Sequence, residues 1–129
     1  MSPAGGINLI TSKKNTMTKK IFITKFSYSM PTGEFKKIMP AVAPEFSKIP
    51  GCCWKIWLIN EDQKRAGGVY LFESATALEQ FLNSKLFASV ANNSAFTNFE
   101  TNTFGVEEEA SVITGAPLMK IDQLQKAFL

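Results

Sequence analysis

Residues 50–72, PGCCWKIWLINEDQKRAGGVYLF, contain two successive runs that are apolar at both parities, a pattern few folds accommodate. Cys52 to Ile59 carries Trp54, Ile56 and Leu58 at one parity and Cys53, Trp57 and Ile59 at the other, with only Lys55 interrupting. Gly67 to Phe72 puts Val69 and Leu71 on one side and Tyr70 and Phe72 on the other. Strand side chains alternate between faces, so a sheet with one wet face shows a polar residue at every second position. The pattern predicts a β-hairpin covered on both faces, with the charged stretch Asn60 to Ala66 exposed as its loop.

The rest of the chain supplies the partners. KIFITKFSYS, residues 20–29, alternates as a strand. Phe35, Ile38, Met39, Val42, Phe46 and Ile49 recur at helical spacing. Thr32 is the expected N-cap of that helix, and Pro40 and Pro44 predict a kink or restart near Pro40. Glu73–Ser74 caps a second helix over SATALEQFLNSKLFASV. Phe96 and Phe99 suggest a further helical turn, and Phe104 to Thr114 reads as a last strand. PLMKIDQLQKAFL forms a short amphipathic segment with Ile121, Leu124 and Phe128 on one side. Residues 1–18 are polar and aperiodic, a flexible tail ahead of a single domain over 19–129 whose own C-terminal tail spans 117–129.

The order β-α-β-β-α-β predicts an α+β, ferredoxin-like fold with a four-stranded antiparallel sheet. Both helices then pack on one face and leave the other bare. Two or three large apolar side chains per strand make that bare face an apolar patch on the order of 800 Å², above the few hundred usual for a monomer. One partner of a standard interface contributes about that area. A homodimer, two sheets face to face about a twofold axis, is the expected covering.

Composition narrows the chemistry. At 129 residues and +3 net charge the chain is mildly basic, and four of its lysines lie before position 21. A single arginine and aromatics confined to strand patterns argue against nucleic acid. No apolar run approaches the roughly 18 residues of a membrane span, and the N-terminus lacks an apolar signal core, so a cytoplasmic protein without membrane attachment is expected. The chain contains no histidine. That removes Ser–His and Cys–His nucleophiles, the usual zinc and iron sites, and histidine-ligated haem. Cys52 and Cys53 are adjacent, too badly placed for a disulfide with each other, and read as reduced thiols packed as small hydrophobes. Glu107–Glu109 has no second ligand cluster, so no metal site is expected. Gly67–Gly68 is followed by no helix start and reads as a bulge or close backbone approach rather than a phosphate loop.

Pro50–Gly51, the WKIW of Trp54 to Trp57, and AGGVYLF from Ala66 to Phe72 resemble the mono-oxygenase family typified by YdhR, in the dimeric α/β-barrel superfamily. GVEE at Gly105 to Glu108 and PLMKIDQ from Pro117 to Gln123 follow in the same order, and the resemblance covers roughly residues 20–125. The chain departs from the pattern in its N-terminal tail, in Cys52–Cys53, and in a longer second helical region. The resemblance implies a ferredoxin-like homodimer whose relatives include cofactor-independent oxygenases of polycyclic phenols and quinols.

Such an oxygenase needs an electron-rich substrate, a dry aromatic pocket and a proton acceptor, with no cofactor. The pocket is expected between sheet and helices. Phe26, Trp54, Trp57 and Phe72 are its candidate walls, although strand parity sets Trp54 against Trp57. Without histidine the base is a tyrosine, a carboxylate or a lysine of lowered pKa. Lys55, the one charge in an apolar strand, is the sharpest candidate, against a plain reading as a snorkelling or ion-paired side chain. Tyr28 and Tyr70 are candidate proton relays, and Asn60 and Arg65 candidate orienting groups near the hairpin loop. The expected function is a cofactor-independent mono-oxygenase of a small aromatic or quinol-like compound. A non-catalytic binder of small hydrophobic molecules on the same scaffold, and a non-oxidative isomerase or lyase, are the alternatives.

Overall fold

The structure, a computed structural model, describes residues 18–120. The expected tail over 1–18, Thr18 apart, and the segment bearing Ile121, Leu124 and Phe128 lie outside the described residues. In chain order the elements are β1 (Lys20–Tyr28), α1 (Thr32–Phe46), β2 (Cys52–Asn60), β3 (Arg65–Phe72), α2 (Ala75–Leu82), α3 (Lys85–Ala91), β4 (Phe96–Gly105) and α4 (Glu108–Ile113). The sheet is antiparallel in the order β2-β3-β1-β4. This is the ferredoxin-like α+β arrangement that the pattern of elements predicts.

Alternation sorts the strands into an inner face under α1–α3 and an outer face. On β1, Phe22, Thr24, Phe26 and Tyr28 are buried inward. On β3, Tyr70 and Phe72 join them, and Leu71 points outward. Two β-bulges disturb the count. In β2 the register shifts between Cys52 and Trp54, leaving Cys53 as the extra residue. Cys52 therefore pairs with Phe72, Trp54 with outward Leu71, and Lys55 with inward Tyr70. In β4 the shift falls opposite Phe26, with Asn98 at φ 54°. Asparagine tolerates that left-handed backbone better than most residues.

The β4 bulge explains why Phe96 and Phe99 mislead. Their i, i+3 spacing suggests a helical turn, but the segment is a strand. The extra residue brings both rings to the inner face, where they stack on Phe26 with centroids 4.4 and 5.9 Å away. The last strand ends at Gly105 rather than near Thr114, and Glu108–Ile113 is helical. Glu107 caps that helix by accepting a hydrogen bond from the Ala110 amide at 2.9 Å.

Three further expectations change locally. The second helix divides at Asn83–Ser84, because Ser84 caps a new helix by accepting from the Phe87 amide, as Ser74 caps α2 through Ala77. Thr32 is the first helical residue of α1 rather than its cap, and its hydroxyl bonds the Tyr28 hydroxyl at 2.8 Å. The helix does not restart at Pro40: it runs through both prolines to Phe46. Each proline removes the donor for a carbonyl one turn earlier, those of Lys36 and Pro40, and both of these residues are exposed, so water can serve instead.

The core forms two groups. Phe22, Phe46, Cys52, Tyr70, Phe72 and Phe81 centre one. Phe26, Tyr28, Phe35 and Ala66 form the other, with Met39, Phe96 and Phe99 packed against it. Phe22 contacts Tyr70, Phe81 and Phe87 at centroid distances of 5.6 to 6.3 Å. Truncating a buried phenylalanine typically costs about 3–5 kcal/mol, whereas a solvent-exposed apolar residue contributes little. Phe22→Ala is expected to lower unfolding free energy by that amount in urea titrations, and Ile113→Ala, at a position 78% exposed, by less than about 0.5 kcal/mol.

Candidate active site

Helix α1 buries only its two end phenylalanines, Phe35 and Phe46. Between these anchors Ile38, Met39 and Val42 face the sheet without reaching it. Below them Gly67 lines the space with backbone atoms alone. The result is a cavity of about 200 Å³ between the two core groups, bounded by Phe26 and Phe35 on one side and Phe46 and Tyr70 on the other. Trp57, Leu86, Val90 and Phe96 complete the apolar lining, while Glu45, Ser89 and Asn93 supply polar atoms.

Lys55 is the cation of this cavity. The β2 bulge turns it inward, with Nζ 3.5 Å from the Trp57 ring centroid, 3.8 Å from Phe46 and 4.7 Å from Tyr70. Its stem runs over Gly68, where an added Cβ would lie 2.6 Å from Lys55 Cε. Gly67 is equally constrained, since a Cβ there would collide with the Thr24 carbonyl. Among the described residues no carboxylate lies within ion-pair distance of Lys55. Burial pulls its pKa down to about 7, with the neighbouring Cys52 sulfur acting weakly in the opposite direction. The three ring faces also oppose the shift, each favouring the ammonium by roughly 0.5–2 kcal/mol.

Two neighbours are held protonated. Burial, reinforced by the nearby Cys52 sulfur, pushes the Tyr70 phenol well above its ordinary range, against the effect of its hydrogen-bonding neighbour Thr24. Burial, with Cys53 alongside, pushes the Cys52 thiol up to about 11. Cys52 Sγ donates to the Trp54 carbonyl at 3.4 Å and packs as a small hydrophobe. The site thus presents an amine that titrates near neutrality beside a phenol that keeps its proton.

Residues 21–117 match the family described as "Putative mono-oxygenase ydhR". The chain belongs to this family. No curated protein matches it. Among solved structures, the chain is similar to SnoaB, described as a cofactor-independent oxygenase from Streptomyces nogalater, at 18% identity and TM-score 0.58, over 70% of this chain and 95% of that one. It is also similar to the haem degrader MhuD of Mycobacterium tuberculosis, at 21% identity and TM-score 0.55, over 70% and 97%. A Caulobacter crescentus protein described as a "putative antibiotic biosynthesis monooxygenase" shares 15% identity at TM-score 0.58, over 77% and 99%. At these identities the likeness shows a shared fold, to which the mono-oxygenase family adds its name but no site.

Of the residues singled out by sequence, Lys55, Tyr70, Trp57 and Phe26 line the cavity of this mono-oxygenase family member. The others stand elsewhere. Tyr28 stacks on Phe35 at 4.4 Å and bonds Thr32, outside the lining. Phe72 is wholly buried behind Tyr70. Trp54 faces outward, where its Nε1 donates to the Pro117 carbonyl at 2.8 Å. Asn60 bonds Gln63 within the hairpin turn, and Arg65 lies 3.6 Å from Glu100. Sequence reading missed the roof, Ile38, Met39 and Val42, and the polar edge at Glu45, Ser89 and Asn93. The roof residues carried a signal, since their helical spacing marks a sheet-facing stripe, but the same stripe marks an ordinary core.

Lys55 has a consequence for stability. Its unfolded side chain stays protonated up to the ordinary 10.5, whereas the folded one releases its proton near 7. Between those values the unfolded chain binds the extra proton, so this group's contribution to stability rises with pH, while below 7 its penalty is full and constant. Lys55→Met is therefore expected to stabilise the protein most below pH 7, with the gain over wild type shrinking progressively towards pH 10, as read by urea unfolding across that range.

Proposed function

We propose that the protein is a cofactor-independent mono-oxygenase of small phenolic or quinol-like compounds, with Lys55 as the base. The observation that carries this reading is a lysine amine, free of any ion pair among the described residues, inside an aromatic-walled cavity. SnoaB, described as a cofactor-independent oxygenase, lends support through the shared fold. The volume of about 200 Å³ suits one or two fused rings, since a cavity of roughly 150 Å³ already holds benzene. Porphyrin-sized ligands need more room than that, and the chain has no histidine to ligate haem.

The chemistry follows from the two neighbours. Neutral Lys55 takes the substrate's phenolic proton, and the anion so formed gives one electron to dioxygen. Substrate radical and superoxide combine at the ring carbon para to the oxygen. Lys55 returns its proton to the outer peroxide oxygen, and that oxygen leaves as water with the hydrogen of the attacked carbon, which gives a quinone carrying the other atom of dioxygen. Tyr70, still protonated, donates a hydrogen bond to the developing peroxide. Excluding water strengthens both interactions.

The reading includes a twofold homodimer through the outer face. Its support is narrower than sequence alone suggests, because Pro117 lies on Trp54 and the Lys25–Glu100–Arg65 ion cluster occupies part of that face. Ile56, Leu58 and Phe104 nevertheless remain 52, 36 and 58% exposed there. Light scattering is expected to give a dimer at micromolar concentration and a monomer for Phe104→Asp. No described helix is long and apolar enough to cross a membrane.

Oxygen uptake with a panel of one- and two-ring phenols, without added flavin or metal, tests the activity. The rate is expected to rise with pH through about 7 as Lys55 loses its proton. Lys55→Met should lower kcat roughly 10²–10⁴-fold and abolish that rise, as loss of a general base does. Ligand binding across the panel with no oxygen consumed would favour the non-catalytic binder instead.

A further inference from the structure

The geometry that makes Lys55 a base also makes it a nucleophile. An uncharged primary amine in a dry pocket adds readily to carbonyl carbon. Its Nζ sits among the rings of Trp57, Phe46 and Tyr70 at 3.5 to 4.7 Å, with the stem held in a lane that Gly68 keeps open. The titratable groups facing it are Cys52 on its own strand, Tyr70 on β3 and Glu45 on α1. Cys52 and Tyr70 are protonated at neutral pH. Glu45 is 67% exposed and lies 3.9 Å from Lys48, so its charge is directed to solvent.

We propose that Lys55 is a covalent docking site for small aromatic aldehydes, which it holds as an imine inside the cavity. Nζ attacks the carbonyl carbon, the C=O π pair moves to oxygen, and a proton passes from nitrogen to that oxygen to give a carbinolamine. The hydroxyl then leaves as water with the remaining proton of the nitrogen, Tyr70 donating a hydrogen bond to the departing oxygen, and the C=N bond forms. One water is released per imine and nothing is oxidised or reduced. Phe26, Met39, Val42 and Phe96 receive the aryl ring. This inference rests on the same cavity as the proposed oxygenase but not on any reaction with dioxygen.

Full-length protein is incubated with benzaldehyde at neutral pH, reduced with sodium cyanoborohydride, digested, and the benzylated lysines are quantified by mass spectrometry. Lys55 is expected to be labelled at least about a hundredfold ahead of surface lysines such as Lys37 and Lys48, because an ordinary lysine is almost wholly protonated at that pH. Excess phenol should protect Lys55 alone, and Lys55→Arg, checked for fold by circular dichroism, should lose the dominant adduct. Trp57 fluorescence in a Trp54→Phe variant reports occupancy independently. Equal labelling of all lysines would overturn the imine. Quenching of Trp57 by benzaldehyde without labelling of Lys55 would overturn it too, while leaving the cavity as a ligand site. Neither quenching nor labelling would remove both the imine and the reading of the cavity on which the oxygenase stands.

Discussion

The inner face of the sheet is paved with aromatic rings, but a helix pinned at both ends keeps them from closing into one core. Phe35 and Phe46 are the only buried residues of α1, and each belongs to a different aromatic group. Between them the helix spans a region lined on β3 by the Gly67 backbone and the Tyr70 ring. Protein interiors normally close-pack, so a void of about 200 Å³ forfeits contacts that nearby side chains would otherwise supply. Neither glycine of β3 admits a side chain: the Thr24 carbonyl excludes one at Gly67 and the Lys55 stem one at Gly68. The space and the lysine within it are therefore parts of one arrangement.

Lys55 sets the electrostatics of that space. Removing an ammonium from water is expensive, and no described carboxylate compensates it. The rings of Trp57, Phe46 and Tyr70 return part of the loss through their negative faces. Desolvation outweighs them, which is why the amine titrates near 7. The same burial acts in the opposite sense on Tyr70, whose charged form is the deprotonated one. One dry environment thus prepares an acceptor and a donor side by side.

Membership of the mono-oxygenase family and likeness to SnoaB and MhuD give the chain a fold that carries more than one chemistry. What this chain adds lies in its own residues: a lysine in the cavity and no histidine anywhere. The outer face has a separate character, apolar at Ile56, Leu58 and Phe104 and charged at Lys25, Glu100 and Arg65.

Much of this was legible from residue order. Alternation along residues 20–29 and 50–72 located β1, β2 and β3, and helical spacing after Met30 located α1. The absence of histidine narrowed the chemistry, and Lys55 stood out as the lone charge in an apolar strand. Local pattern failed wherever a bulge altered the parity. Phe96 and Phe99 looked helical because one extra residue brings both to the same face, and the phase of Lys55 depends on the unpaired Cys53. Nor could spacing reveal that the apolar stripe of α1 roofs a void, because packed and unpacked stripes have the same periodicity. Residue order determined where β1, α1, β2 and β3 form and which groups are able to titrate. Only tertiary structure decided which of those groups meet, because bulges, helix anchoring and burial depend on strands and helices far apart in the chain.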